Sequence, residues 1–156
     1  MLVTFCLCQK EALIRPVLYL SHFLKRHRET YYNLLQAVRD KGEWENWLKF
    51  FLRGVVEVAN ESTDTARKIV QLREDHRDKL QFSLGKGAGS GLRLLETMYQ
   101  RPIFTVATVA QVLEVSPQAA NSLTERLMKL GIIRETTGNK RNRIFIYDPY
   151  VKLFQD

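Results

Sequence analysis

The stretch that decides the fold is VSPQAANSLTERLMKLGIIRETTGNKRNRIFIY, residues 115–147. Near its start, Ser116 can accept a hydrogen bond from the free amides of a new helix, and Pro117 suits the first helical position. Apolar residues then recur at three- and four-residue steps: Ala120, Leu123, Leu127 and Leu130. We therefore expect a helix that begins after Ser116 and is ended by Gly131.

A β-hairpin is predicted directly after this helix. The pattern predicts strands at residues 132–136 and 143–147, and the polar segment between them is predicted to be the hairpin tip. Upstream, residues 92–99 and 104–113 each show the spacing of a short helix. The order helix, helix, turn, helix and two-stranded hairpin is that of a winged helix-turn-helix.

The third helix and the wing of such a domain carry the candidate nucleic-acid contacts. The third helix presents its outer side to the major groove, and the wing reaches phosphates or the minor groove. Off the apolar stripe of the helix lie Gln118, Asn121, Ser122, Glu125 and Lys129, and the wing adds Lys140, Arg141 and Arg143. Gln and Asn side chains can bond adenine in two places, and clustered cations neutralise phosphates. The same fold also serves in dimerisation or protein docking, so a protein partner stays an alternative to DNA.

Composition and charge favour a mainly helical globular protein. The chain has 156 residues, of which 45% are hydrophobic and 26% are charged, with only eight Gly and four Pro. The formal net charge is +7, and residues 81–156 carry ten Lys and Arg against six Asp and Glu. The C-terminal part is therefore the better candidate for an acidic partner. Cys6 and Cys8 have no His nearby and cannot form a disulfide framework, which favours a reducing, cytoplasmic location.

The N-terminal segment 2–8 is apolar except for one threonine. It is far shorter than the roughly 20 residues of a membrane span, and it has neither a preceding basic region nor a cleavage site. We therefore expect no membrane association. Its apolar residues would occupy all sides of an uncapped helix, so we also expect that a covering segment is missing.

The rest of the N-terminal half shows further helical stripes. Residues 20–38 and 44–55 predict an antiparallel helix pair, and residues 56–82 predict a long surface helix with dense mixed charge. The segment 85–91, GKGAGSG, holds four glycines but lacks the order of a P-loop. We predict that it is a linker between a first domain, residues 1–84, and a second, residues 92–156.

An ordered series of residues in the first domain suggests a family. It comprises Leu18-Tyr19-Leu20-Ser21, His27-Arg28, Tyr31-Tyr32, Leu34-Leu35, Val38-Arg39, Gly42-Glu43-Trp44, Trp47 and Phe50-Phe51-Leu52. This series closely resembles the region behind the active-site loop of Fic (filamentation induced by cAMP) proteins. The resemblance runs from about Leu2 to Leu80 and continues into a C-terminal winged helix, which many bacterial members also carry. It implies that residues 1–84 are the C-terminal helices of a Fic-type domain.

The resemblance implies a chemistry that this sequence cannot perform alone. Fic proteins transfer AMP from ATP, with magnesium, to a hydroxyl of a target protein, using a loop of the pattern HPFx(D/E)GNGRxxR. No such loop occurs here, since His22, His27 and His76 are not followed by Pro-Phe. Without general base, metal ligand and phosphate cradle we expect no catalytic residue, no cofactor and no activity in this chain by itself. The expected product is a truncated remnant or the partner of a separate polypeptide that carries the loop.

The resemblance also assigns Tyr31, Tyr32 and Arg39 to the adenine pocket. Aromatic rings can stack on a base, although Tyr31 also lies on the apolar stripe and can be a core residue. Three interpretations stay open. The first is an inactive Fic remnant with a winged helix, the second a small DNA-binding transcriptional regulator whose helical part forms a homodimer, and the third a protein-interaction module.

Overall fold

The computed structural model describes Gln9, residues 20–139 without the side chain of Lys86, and residues 141–154. The apolar segment 2–8, with Cys6 and Cys8, lies outside the described residues, and so does Lys140. The chain divides into two compact units, Met1–Ala66 and Arg67–Asp156. This boundary falls inside a helix, whereas the sequence analysis placed it at residues 85–91.

The first unit is helical. Its helices are α1 (Leu20–Arg26), α2 (Arg28–Lys41) and the beginning of α3 (Trp44–Leu84). Gly42, with a φ of 70°, ends α2, and its N–H donates to the Val38 carbonyl at 2.9 Å. The predicted stripe 20–38 is thus two helices, and the stripes 44–55 and 56–82 form one. Gly54 lies beside the junction of the latter two, but a single glycine is tolerated inside a helix, and no proline follows that would end it.

A small core holds α1 against α3 within the first unit. Leu20, Phe23 and Val58 are buried, and Phe50 and Phe51 pack against them. The ring of Phe23 lies over Gly54, where a Cβ atom would come within 2.4 Å of the ring. The close approach of α1 and α3 therefore requires glycine at residue 54.

The second unit is a winged helix-turn-helix, as predicted. After the end of α3 follow a 3₁₀ turn (Gly85–Gly87), α4 (Ala88–Gln100), β1 (Ile103–Thr105), α5 (Val106–Leu113), α6 (Pro117–Lys129), β2 (Arg134–Glu135), β3 (Ile144–Ile146) and α7 (Asp148–Lys152). The three strands form an antiparallel sheet in the order β1-β3-β2. The mainly α fold with a small β wing is confirmed.

The segment predicted as a linker, residues 85–91, is helical instead. It forms the 3₁₀ turn and the first turn of α4. Gly91 is buried, and a Cβ atom there would lie 2.5 Å from Cδ1 of Leu84. Glycine at residue 91 thus permits close packing of α4 on the end of α3 and does not mark a flexible linker.

One strand of the sheet was predicted as helix. Phe104 lies in β1, where it is buried and pairs opposite Phe145 of β3. The helix begins only at Val106, because Thr105 caps it and Pro102 restricts the chain just before. The wing is therefore part of a three-stranded sheet, not an isolated hairpin.

The core of the second unit contains residues from the end of α3, from α4, β1, α5, α6 and β3, and from the segment 132–133 before β2. The largest fully buried side chains are Tyr147, Phe145, Leu80, Leu94, Leu95, Met98, Leu127, Ile132, Val109 and Thr124. No helix within the described ranges is long and apolar enough to cross a bilayer.

We expect Gly54→Ala to destabilise the first unit, although alanine favours helices. The added methyl would collide with the Phe23 ring, at a cost of about 1–3 kcal/mol. Chemical unfolding followed by far-UV circular dichroism measures the effect, since this signal reports on the helices of both units. In the matched control Gly89→Ala, no atom lies within 4 Å of the new Cβ, and we expect stabilisation by roughly 0.5–1 kcal/mol. Equal shifts in the two variants would contradict the packing argument.

Candidate nucleic-acid interface

Local backbone and side-chain interactions define both ends of α5 and the start of α6. Thr105 and Thr108 form a reciprocal cap at the start of α5. Glu114 ends α5 in the left-handed conformation with a φ of 56°. Ser116 caps α6 by accepting the Ala119 N–H at 3.2 Å, and Pro117 occupies the first turn. The cap that the sequence predicted is thus confirmed.

The inner face of α6 is anchored to the rest of the unit. Leu123 and Leu127 are buried in the core. The guanidinium of Arg126 donates to the carbonyl oxygens of Ser83 and Leu84, each at 3.3 Å, and so satisfies the end of α3. Because one side of α6 is held in this way, its opposite side faces outward.

The outward side of α6 carries the residues that the sequence analysis selected. Gln118, Ser122 and Lys129 are exposed, and Asn121 is half-buried. Within the described part of the chain, the side chains of Gln118, Ser122 and Lys129 have no hydrogen-bond or ion-pair partner. They are therefore available to a ligand on this face.

Glu135 folds the tip of the wing. Its carboxylate accepts the N–H groups of Thr137 at 2.8 Å and Gly138 at 2.9 Å, and also the Thr137 hydroxyl. The Thr137 hydroxyl contributes most to lowering the pKa of Glu135, followed by the Gly138 amide. The ionised carboxylate thus acts as an internal cap for the turn, a role that sequence reasoning did not assign.

A groove brings the two helix starts and the wing together. It is lined by Thr105, Val106, Ala107, Pro117, Gln118, Asn121, Arg141, Asn142 and Arg143. Four of the predicted contact residues lie here: Gln118 and Asn121 on α6, and Arg141 and Arg143 on the wing. Arg141 is exposed and has no side-chain partner among the described residues. The groove therefore offers amide groups on one wall and positive charge on the other.

Arg143 is already engaged in the absence of a ligand. Its guanidinium donates to Oδ1 of Asn121 at 2.5 Å and lies 3.6 Å from Oε1 of Glu125. It also lies over the Phe145 ring, 5.3 Å from the ring centre. Asn121 in turn donates from Nδ2 to Glu125 at 3.0 Å. The sequence identified all three polar residues, but it did not show that they bond to one another.

A buried polar cluster at the base of the wing was not predicted. The Tyr147 hydroxyl lies 2.8 Å from Nδ1 of His76 and 3.2 Å from the Tyr99 hydroxyl. Burial, and to a smaller extent Lys79, lowers the pKa of His76, and burial raises the pKa of Tyr147 far above its usual value. Because Tyr147 directly follows β3, this cluster ties the wing to α3 and α4.

The residues assigned by resemblance to an adenine pocket lie on α2. The rings of Tyr31 and Tyr32 meet edge to face with centres 5.5 Å apart, and Arg28 lies over the Tyr32 ring. Tyr31 is half-buried, whereas Tyr32 and Arg39 are exposed. The adenine-binding role stays a prediction. Groups of three or more His, Cys, Asp or Glu that could hold a metal do not occur within residues 20–139 and 141–154.

Comparison with known proteins identifies the second unit. Residues 92–145 match a family model described as an HTH DNA binding domain. The match begins within α4 and ends in β3, so it includes α5, α6 and the wing. This part of the chain is therefore similar to DNA-binding helix-turn-helix domains.

We expect the stability of the chain to fall as the pH is lowered from 7.5 to 5.5. Burial lowers the pKa of folded His76, so below about pH 6.5 the unfolded state binds more protons than the folded state. His76→Gln, whose amide can still bond to Tyr147, should flatten this dependence. Thermal unfolding at several pH values measures it, with His22→Gln, at an exposed position, as the control that keeps the slope. A full slope in His76→Gln would contradict the assignment.

Proposed function

We propose that the chain is a DNA-binding transcriptional regulator, with α6 in the major groove and the wing on the sugar-phosphate backbone. One observation carries this proposal: the groove between the helix starts and the wing combines amide side chains with an arginine that has no side-chain partner in the described part of the chain. The match of residues 92–145 to a DNA-binding helix-turn-helix model supports the same function. Duplex DNA is the partner, and the proposed location is the cytoplasm.

Non-specific attraction comes from the charge of the unit. The chain has a formal net charge of +7. Arg141, which has no side-chain partner among the described residues, can meet a phosphate at the mouth of the groove. Lys129, exposed in the last turn of α6, adds a second cation on the same side of the helix. Each phosphate that such a cation neutralises releases counterions, so the affinity must fall as salt rises.

Base recognition is assigned to the exposed polar side chains of α6. Gln118 lies in the first turn of the helix, the part that contacts base edges in helix-turn-helix proteins. Its amide can bond adenine bidentately, and Ser122, one turn further, can donate or accept a single bond. A homodimer, expected from the regulator interpretation, stays a prediction.

We expect the wild-type chain to bind a duplex of about 25 base pairs with an affinity that falls steeply with salt. Arg141→Ala should reduce the slope of log affinity against log salt by roughly 0.9, the value for one phosphate. Fluorescence anisotropy at 50–200 mM salt measures both quantities. Arg77→Ala removes the same charge from an exposed position on α3 and should leave the slope nearly unchanged. Equal slopes for the two variants would argue against a wing on the backbone.

For the first unit, the proposal is that it derives from a Fic-type protein and lacks catalysis by itself. The residues quoted for the resemblance support this origin. The family model that matches the chain covers residues 92–145 only, so it does not extend to this region. A polypeptide that carries the missing loop, and a target protein, are the partners that this hypothesis implies.

We expect no transfer of AMP when the purified chain is incubated with labelled ATP, magnesium and a cell lysate. The sequence has no HPFx(D/E)GNGRxxR loop to position the phosphates or to remove the proton of the acceptor hydroxyl. Autoradiography of the separated proteins measures the transfer. Labelling that depends on the added chain and disappears on Tyr32→Ala would refute the inactive interpretation and support the adenine pocket.

A further inference from the structure

Asn121, Glu125 and Arg143 form a closed ring of polar contacts, which we call the wing latch. Arg143 donates to Asn121, Asn121 donates to Glu125, and Glu125 lies within ion-pair distance of Arg143. Asn121 and Glu125 are one turn apart on α6, whereas Arg143 directly precedes β3 of the wing. The latch therefore joins the recognition helix to the wing.

The contacts of the latch occupy the groups that DNA would otherwise use. Both polar ends of the Asn121 amide are bonded within the protein, so the bidentate contact to adenine that its type permits is blocked while the latch is closed. The positive charge of Arg143 is balanced by Glu125, and its guanidinium is held over the buried Phe145 ring. In contrast, Arg141 on the same arm of the wing has no such partner in the described structure.

We propose that Glu125 is a specificity-determining residue, an inference that rests on the proposed function. Through the wing latch, Glu125 keeps Arg143 away from the DNA backbone. A carboxylate on the outward side of α6 repels phosphates, and it also holds Arg143, a cation that could otherwise contact a phosphate. Non-specific duplex DNA offers Arg143 a phosphate but offers Asn121 no matching base edge, so it replaces only part of the bonds of the latch. A correct site can replace them by giving Asn121 and Arg143 new partners, so the latch opens selectively there. The affinity for non-specific DNA is thereby kept low.

The latch also accounts for the unequal environments of the two wing arginines. Arg143 has a side-chain exposure of only 23%, whereas Arg141 is exposed. Replacing Glu125 with Gln keeps an acceptor for Asn121 but removes the ion pair. Since Glu125 is exposed on its helix, the variant keeps the core of the unit intact, which circular dichroism verifies.

The experiment is a double-mutant cycle on binding to a random-sequence duplex of about 25 base pairs at 50–200 mM salt. Four proteins form the cycle: wild type, Glu125→Gln, Arg143→Gln and the double variant. We expect Glu125→Gln to raise the affinity about tenfold at low salt and to steepen the salt slope by roughly 0.9, since Arg143 gains one phosphate. In the Arg143→Gln background the same change should have little effect on affinity and none on the slope. Glu74→Gln, which removes one negative charge from an exposed position on α3, is the matched control.

The outcomes distinguish a failure of the latch from a failure of the proposed DNA-binding function. If the wild type does not bind duplex DNA at 50 mM salt, both the DNA-binding function and this inference are overturned. If the wild type binds and Glu125→Gln behaves like Glu74→Gln, only the latch is overturned. An equal gain from Glu125→Gln with and without Arg143 would show that Glu125 acts through its own charge, which also overturns the latch.

Discussion

The winged-helix unit depends on the burial of Phe145 and Tyr147. These residues are two positions apart, so both lie on the inner face of β3 and of the residue that follows it. Both side chains are fully buried. Phe145 packs opposite Phe104 of β1, whereas Tyr147 bonds to His76 of α3 and stacks on Tyr150 of α7. A single strand thereby joins elements that are far apart in the sequence. Successive side chains of a strand point to opposite faces of the sheet. Burial of these two residues on one face therefore sets the register of β3, and with it the position of the arm that carries Arg141 and Arg143.

Local signals in the sequence were sufficient to predict the order of the second unit. Ser116, Pro117 and Gly131 mark the ends of α6 through their own backbone chemistry, so no tertiary contact is needed to recognise them. The wing strands follow from short alternating runs. The adenine-pocket assignment of Tyr31, Tyr32 and Arg39 has a different basis, since it depends on resemblance and not on a local signal.

The sequence analysis did not predict the features that depend on tertiary packing. Gly91 was interpreted as part of a linker because composition does not distinguish a flexible glycine from one that permits close approach of two helices. Phe104 was predicted as helical because its partner in the sheet lies 41 positions later. The candidate DNA-contact residues were found by type and spacing, but the bonds among Asn121, Glu125 and Arg143 join two elements and require coordinates.

The cap of the wing tip gives the hairpin two electrically different arms. Glu135 keeps its carboxylate ionised on the β2 arm, where Arg134 is neutralised by Asp148 at 2.6 Å. Arg141, for which the described residues provide no side-chain partner, is on the opposite arm. Asp148 also pairs with Lys152 at 2.7 Å, so the charges of these residues on the β2 side balance, whereas the charge of Arg141 is not compensated by a described side chain. An acidic ligand would therefore be attracted more strongly to the edge of the hairpin that carries Arg141 than to the β2 edge.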